Sequence, residues 1–128
     1  ACRAGTTTDY YSGDQTESGC DFDPNLDPIG WYCYNAFDSE PVGQKQANDW
    51  ELKDMSGNLR EWCWDGYGLY TEEAQTDPTG PATPPGSTKV IRGGSSIDFA
   101  SRCRSAARSE CDNNPAEDLR VGFRPARR

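Results

Sequence analysis

An irregular, loop-rich fold of short β-strands, with no helix of any length, is what this sequence predicts. Three observations carry that reading. Only 34% of the 128 residues are hydrophobic, against 13 Gly and 9 Pro, so turn material outweighs segments able to bury an apolar face. Short runs at 59–64, 89–92 and 119–124 read as strands, and no run holds a sustained 3.6-residue period. Six cysteines, at 2, 20, 33, 63, 103 and 111, promise covalent bracing for a core that would otherwise be thin. The length fits one domain.

Composition also excludes function classes. The net charge of −8 argues against nucleic acid and anionic membranes, whose phosphates demand a basic face. The positive charge is uneven, with nine of the 13 Lys and Arg in residues 89–128. There is no histidine, which removes Ser-His-Asp and Cys-His nucleophile systems and the usual imidazole sites for zinc and copper. An even cysteine count without a Cys-x-x-Cys spacing points to disulfides and an oxidising, extracellular or periplasmic setting rather than a zinc ribbon. Six cysteines permit fifteen pairings, and spacing does not choose among them. No signal peptide or membrane span is visible. The chain opens on Ala1-Cys2 without an initiator Met, as a processed or excised segment would.

Taken in order, Thr6 to Tyr11 reads as an exposed strand and Ser12-Gly13-Asp14 as a turn. Residues 20–30 are acidic and turn-rich; Asp21, Asp23 and Asp27 lack the glycine and terminal Glu of a helix-loop-helix calcium loop, so a solvated loop is expected. Trp31-Tyr32-Cys33-Tyr34 is an aromatic strand ended by Asn35, and 36–49 a long polar loop. Residues 66–88 form a long Pro/Gly/Thr-rich loop, long enough to face a partner. Lys89-Val90-Ile91-Arg92 is a strand, and Gly93-Gly94 marks a bulge or a close backbone approach. Residues 101–109 alternate Arg102 and Arg104 with Cys103 and Ser105, again strand-like. Residues 110–118 are a polar loop. Leu119, Val121 and Phe123 alternate with Arg120 and Arg124 as a half-buried terminal strand.

The stretch Asp54 to Asp65, DMSGNLREWCWD, organises the rest. Gly57-Asn58 tolerates unusual backbone angles, and Leu59, Glu61 and Cys63 then alternate with Arg60, Trp62 and Trp64. A bend followed by an inward carboxylate suits a hard cation, which wants carboxylate and carbonyl oxygens together. A plain surface turn into an aromatic strand is the simpler alternative.

Six motifs stand in one order: Cys2-Arg3-Ala4-Gly5-Thr6-Thr7, Pro41-Val42-Gly43-Gln44, Asp54-Met55-x-Gly57-Asn58-x-x-Glu61-Trp62, Arg92-Gly93-Gly94-Ser95, Arg104-Ser105-Ala106-x-Arg108 and Gly122-Phe123-Arg124. Together they resemble the formylglycine-generating enzyme (sulfatase-modifying factor) family over essentially the whole chain. The resemblance implies an α+β fold with little regular structure, a variant of the C-type lectin-like fold with short antiparallel strands. It covers the C-terminal part of that domain. The implied partner is therefore a missing N-terminal half or a neighbouring subunit covering exposed edges.

The family's activity is copper-dependent oxidation of a substrate cysteine, using a cysteine pair soon after Arg-Gly-Gly-Ser. Here that segment reads Ser96-Ile97-Asp98-Phe99-Ala100, so copper and catalysis are not expected, and Cys103 reads as structural. The family's calcium turn carries over onto main-chain oxygens of Ser56, Gly57 and Leu59 and the Glu61 carboxylate, with Trp62 as core anchor. A second site would begin at Asn35 and Ala36. The family usually has an aromatic at Lys53, Arg60 and Ser96 and Gly at Glu51. The family fold also implies a Cys63–Cys103 bridge; Cys20–Cys33 is a second candidate pairing, which leaves Cys2 and Cys111 to pair elsewhere or across chains. The leading expectation is a non-catalytic surface or extracellular domain that binds a protein or glycan partner, or forms part of an assembly, through residues 92–124. Variable ligand-binding proteins of bacterial and phage diversity-generating systems use the same scaffold. The alternative is a diverged or partial copper-dependent oxidase.

Overall fold

The computed structural model describes residues 1–70, 76, 80–81, 88–111 and 120–125. Six short strands carry the regular structure: β1 Gly30–Trp31, β2 Ser56–Gly57, β3 Arg60–Gly66, β4 Lys89–Arg92, β5 Ser109–Cys111 and β6 Val121–Gly122. A single 3₁₀ turn spans Ala100–Cys103. β1 and β2 pair in parallel. The main sheet has the order β5-β4-β3-β6; β3–β4 and β4–β5 are antiparallel, whereas β6 runs parallel to β3. The pairing of β3 with β4 shifts register between Trp62 and Gly66, the irregularity that lets a short strand twist away at its end.

The core sits beside the sheet. Tyr10, Leu26, Ile29, Tyr32, Ala100 and Cys103 form one buried cluster, most of it supplied by loops. These loops stay buried because their polar groups are paired internally. The Tyr10 hydroxyl donates to the Ala100 carbonyl at 2.9 Å, and the Tyr32 hydroxyl donates to the Asp21 carbonyl while accepting from Asp23 N–H. Asp23 is fully buried. Its carboxylate accepts from the N–H groups of Thr16, Glu17, Asn25 and Leu26. The expected solvated acidic loop is thus corrected at Asp23, whose carboxylate is the internal brace of residues 16–26.

Several expected strands are shorter or absent. The aromatic strand at 31–34 stops after Trp31, because Asn35 Oδ1 takes the Tyr32 N–H at 2.9 Å and turns the chain. Thr6 to Tyr11 contributes only the bridge of Tyr10 to Gly13. Residues 101–109 do not form a strand; the 3₁₀ turn buries Ala100 and Cys103, three residues apart, which is the 3₁₀ repeat. This explains a second correction. Cys103 lies inside the loop core while Cys63 lies on β3, and the two are not bonded. The Cys20–Cys33 disulfide is formed. Trp62 is half-buried outside the core cluster, and Phe123 is 80% exposed. Most of the 66–88 loop and of the 110–118 loop falls outside the described residues.

Candidate functional site

Gly57 and Asn58 both take left-handed backbone angles, φ +74° and +66°. Gly57 has no substitute: a Cβ there would lie 2.0 Å from the Trp31 carbonyl oxygen. The bend is clamped from outside. Gly57 N–H donates to Gly93 and Asn58 N–H to Trp31, and the Asn58 amide exchanges two hydrogen bonds with the Glu40 main chain. The chain then enters β3, which projects Glu61 into a cleft lined by Asp54, Gly57, Leu59, Gly122 and Arg124.

Of the four residues expected in the turn, Gly57, Leu59 and Glu61 line this one cleft. Ser56 does not join them; it is buried in β2 opposite Gly30. Asp54 also lines the cleft. One Asp54 oxygen accepts from Gly43 N–H at 2.8 Å, while Oδ1 is buried without a hydrogen-bond partner, an orphan acceptor that a cation would satisfy. Two carboxylates and main-chain carbonyls are the hard oxygen set that calcium takes, so these residues fit the ion.

Arg124 shares this cleft. Its guanidinium contacts both Glu61 oxygens, the shortest at 2.6 Å, and donates to the Asp54 carbonyl at 2.9 Å. A cation bound to Glu61 would compete with this arginine. The second expected site is less suited. The Asn35 side-chain oxygen caps Tyr32, its nitrogen donates to Asp27 and Gly30, and Ala36 is buried. No trio of Asp, Glu and Cys side chains gathers as a metal site among the described residues.

The segment after Arg92-Gly93-Gly94 is built as structure. A Cβ on Gly94, at φ +72°, would lie 2.7 Å from Cys103 Sγ, so the glycine lets the backbone close over that thiol. Cys103 has no exposed surface, and burial pushes its thiol up to about 12, leaving it protonated at neutral pH. Asp98 receives Arg60 in a two-point ion pair, 2.8 and 2.7 Å, together with Ser95 N–H and Oγ. Burial opposes its charge, but these donors prevail and hold the carboxyl below its usual value. Two departures from the family pattern, Arg60 and the cysteine-free segment, thus meet in one ion pair.

Cys2 and Cys63 line a second cleft with Met55, Trp62, Arg92 and Arg124. The Cys2 thiol donates toward Ser105 Oγ at 3.4 Å. Cys63 is half-buried, and desolvation raises its thiol despite the neighbouring Arg92.

Known proteins agree with this architecture. The family model for the sulfatase-modifying factor enzyme 1-like domain matches residues 1–128, and the chain belongs to that family. It is similar to a chaperone protein, LppX, of Paenibacillus barcinonensis, 28% identical over 76% of this chain and 38% of that one. It is 38% identical to a formylglycine-generating enzyme of Streptomyces coelicolor over 67% of this chain and 28% of the enzyme. Treponema denticola variable protein 1 superposes with a TM-score of 0.79 at 28% identity, over 95% of this chain and 41% of that structure. The chain thus spans well under half the length of each. No helix among the described residues is long and apolar enough to cross a membrane.

Proposed function

We propose that this chain is a non-catalytic extracellular or periplasmic binding domain, the C-terminal part of a calcium-stabilised lectin-like scaffold. Residues 92–124 meet a protein or glycan partner or pack within an assembly. The observation that carries this reading is the segment after Gly94. Where the enzymes need a reactive cysteine pair, this chain has Asp98 locked to Arg60 and a single, fully buried Cys103. The Cys20–Cys33 disulfide supports an oxidising location. Exposed Trp64 and Phe123, 83% and 80% accessible, suit coverage by a companion segment or subunit. Calcium is held by Asp54, Gly57, Leu59 and Glu61 and serves to fix the turn.

A copper-dependent oxidase is the second reading, and one observation favours it: Cys2 and Cys63 line one cleft with Met55, and thiols with a thioether select Cu(I). The test is anaerobic Cu(I) titration followed by aerobic incubation with a cysteine-containing peptide. The binding-domain reading expects no stoichiometric copper and no aldehyde product. A copper complex that oxidises the peptide, and is lost in Cys2→Ser or Cys63→Ser, would establish the oxidase instead.

A further inference from the structure

Four of the 13 Lys and Arg of this acidic chain gather at one place. Arg60, Arg92, Arg102 and Arg108 line a pocket of about 240 Å³ between β4, the 3₁₀ turn and β5, with Asp98 and Glu110 as its only acids among the described lining residues. Arg60 is committed to Asp98. The hydrogen bonds and ring contacts of the other three are with neutral groups, although Glu110 lines the same pocket and Glu61 lies opposite Arg92 across the sheet. Arg92 donates to the Ala107 carbonyl and meets the Cys63 thiol. Arg102 reaches the Ser109 hydroxyl at 3.4 Å. Arg108 donates to the Gly68 carbonyl and lies over the rings of Tyr70 and Tyr67 at 3.9 and 4.9 Å.

Four guanidinium groups against the two carboxylates of Asp98 and Glu110 leave this pocket with an excess of positive charge, which an incoming anion would offset. Their planar forks match a carboxylate bidentately, and the Arg108 guanidinium lies against the tyrosine rings. Arg92 also lines the neighbouring cleft, which carries Met55, Trp62 and the exposed Tyr70. An anion pocket beside an apolar, aromatic cleft is the pattern of a peptide site. We propose that this pocket receives a carboxylate from an acidic peptide segment of a protein partner, with Arg92, Arg102 and Arg108 as donors. This rests on the reading of residues 92–124 as a binding face and names its ligand chemistry. A nucleic acid fits poorly. Its charges follow every ~1.7 Å and would run from the pocket onto a protein of net charge −8.

The test is fluorescence anisotropy of labelled hexaglutamate with the intact chain at about 50 mM and about 300 mM salt. An unlabelled single-stranded oligonucleotide and inorganic phosphate serve as competitors. The peptide is expected to bind at low salt and weaken at high salt. Arg102→Gln, at an exposed position, should weaken it roughly tenfold, and Lys53→Gln, elsewhere on the surface, should leave it unchanged. Glu110→Gln should tighten binding severalfold by removing a competing carboxylate, a gain that misfolding cannot mimic. Absence of peptide binding, indifference to both Arg102→Gln and Glu110→Gln, or tighter binding of the oligonucleotide would each overturn the inference. Those results leave the non-catalytic reading standing, whereas peptide-cysteine oxidation removes that reading without touching the pocket.

Discussion

At Asp23 a buried carboxylate replaces a stretch of secondary structure. Its four main-chain donors come from both flanks, 16–17 and 25–26, so one side chain closes a loop that no strand ladder could. Burial works against its charge, but the four hydrogen bonds together hold its pKa below the usual carboxylate value. Asp23→Ala leaves four donors without an acceptor and should cost about 3 kcal/mol or more, read from urea unfolding. The sign of the pH dependence follows from the depressed value. The contribution is complete above about pH 4, where the unfolded carboxyl is ionised, and is lost as pH falls toward the folded value. Wild type should therefore lose stability in that acid window more steeply than Asp23→Ala. A second residue carries strain in the opposite sense. Glu51 sits at φ +60°, where the family uses glycine, and an L-residue pays about 1–2 kcal/mol for that conformation. After the added chain entropy of glycine, Glu51→Gly should still stabilise by roughly 0.5–1 kcal/mol, measured as a rise in Tm.

Among the elements, the 54–61 turn makes the most direct prediction. Millimolar calcium should raise Tm, because a ligand that binds only the folded chain stabilises it by about 2.7 kcal/mol at a hundred times its Kd. Asp54→Asn and Glu61→Gln should each reduce or abolish that rise. Arg124→Gln should preserve it, which separates loss of a calcium ligand from loss of the Glu61–Arg124 ion pair; a rise surviving in Asp54→Asn would remove that residue from the site. The turn and its strand were legible in residue types: Gly57-Asn58 permits the left-handed bend, and β3 and β4 fall where the 59–64 and 89–92 runs place them. Two features were not. The alternation of Arg102, Cys103, Arg104 and Ser105 fits a strand, but burial at Ala100 and Cys103 follows a period of three, which a run this short does not reveal. The buried states of Asp23 and Asp98 depend on donors supplied by residues 16–17 and by Arg60, contacts that local composition does not encode.

Across the whole molecule, the sheet and the core are held by different means. β3 and β4 form the centre of a hydrogen-bonded sheet, whereas the Tyr10–Cys103 core rests on loops tied by the Cys20–Cys33 disulfide. Two hydrogen bonds flank that disulfide, Ala100 N–H to Gly19 at 2.8 Å and Cys33 N–H to Asp98 at 3.2 Å. They join it to the segment that carries the arginine pocket. The bridge closes a sequence separation of 13 residues, and a loop near that size stabilises by about 3 kcal/mol in the chain-entropy account. The Cys20→Ser/Cys33→Ser double variant should lose roughly that amount in urea unfolding under non-reducing conditions. Hydrogen exchange should then locate the loss: the Cys33 and Ala100 amides speed up first, while Val90 and Ile91 at the centre of the sheet keep their protection. Equal acceleration at all four amides would mean that loops and sheet open as one cooperative unit, with the disulfide acting on the whole domain rather than on its loop core.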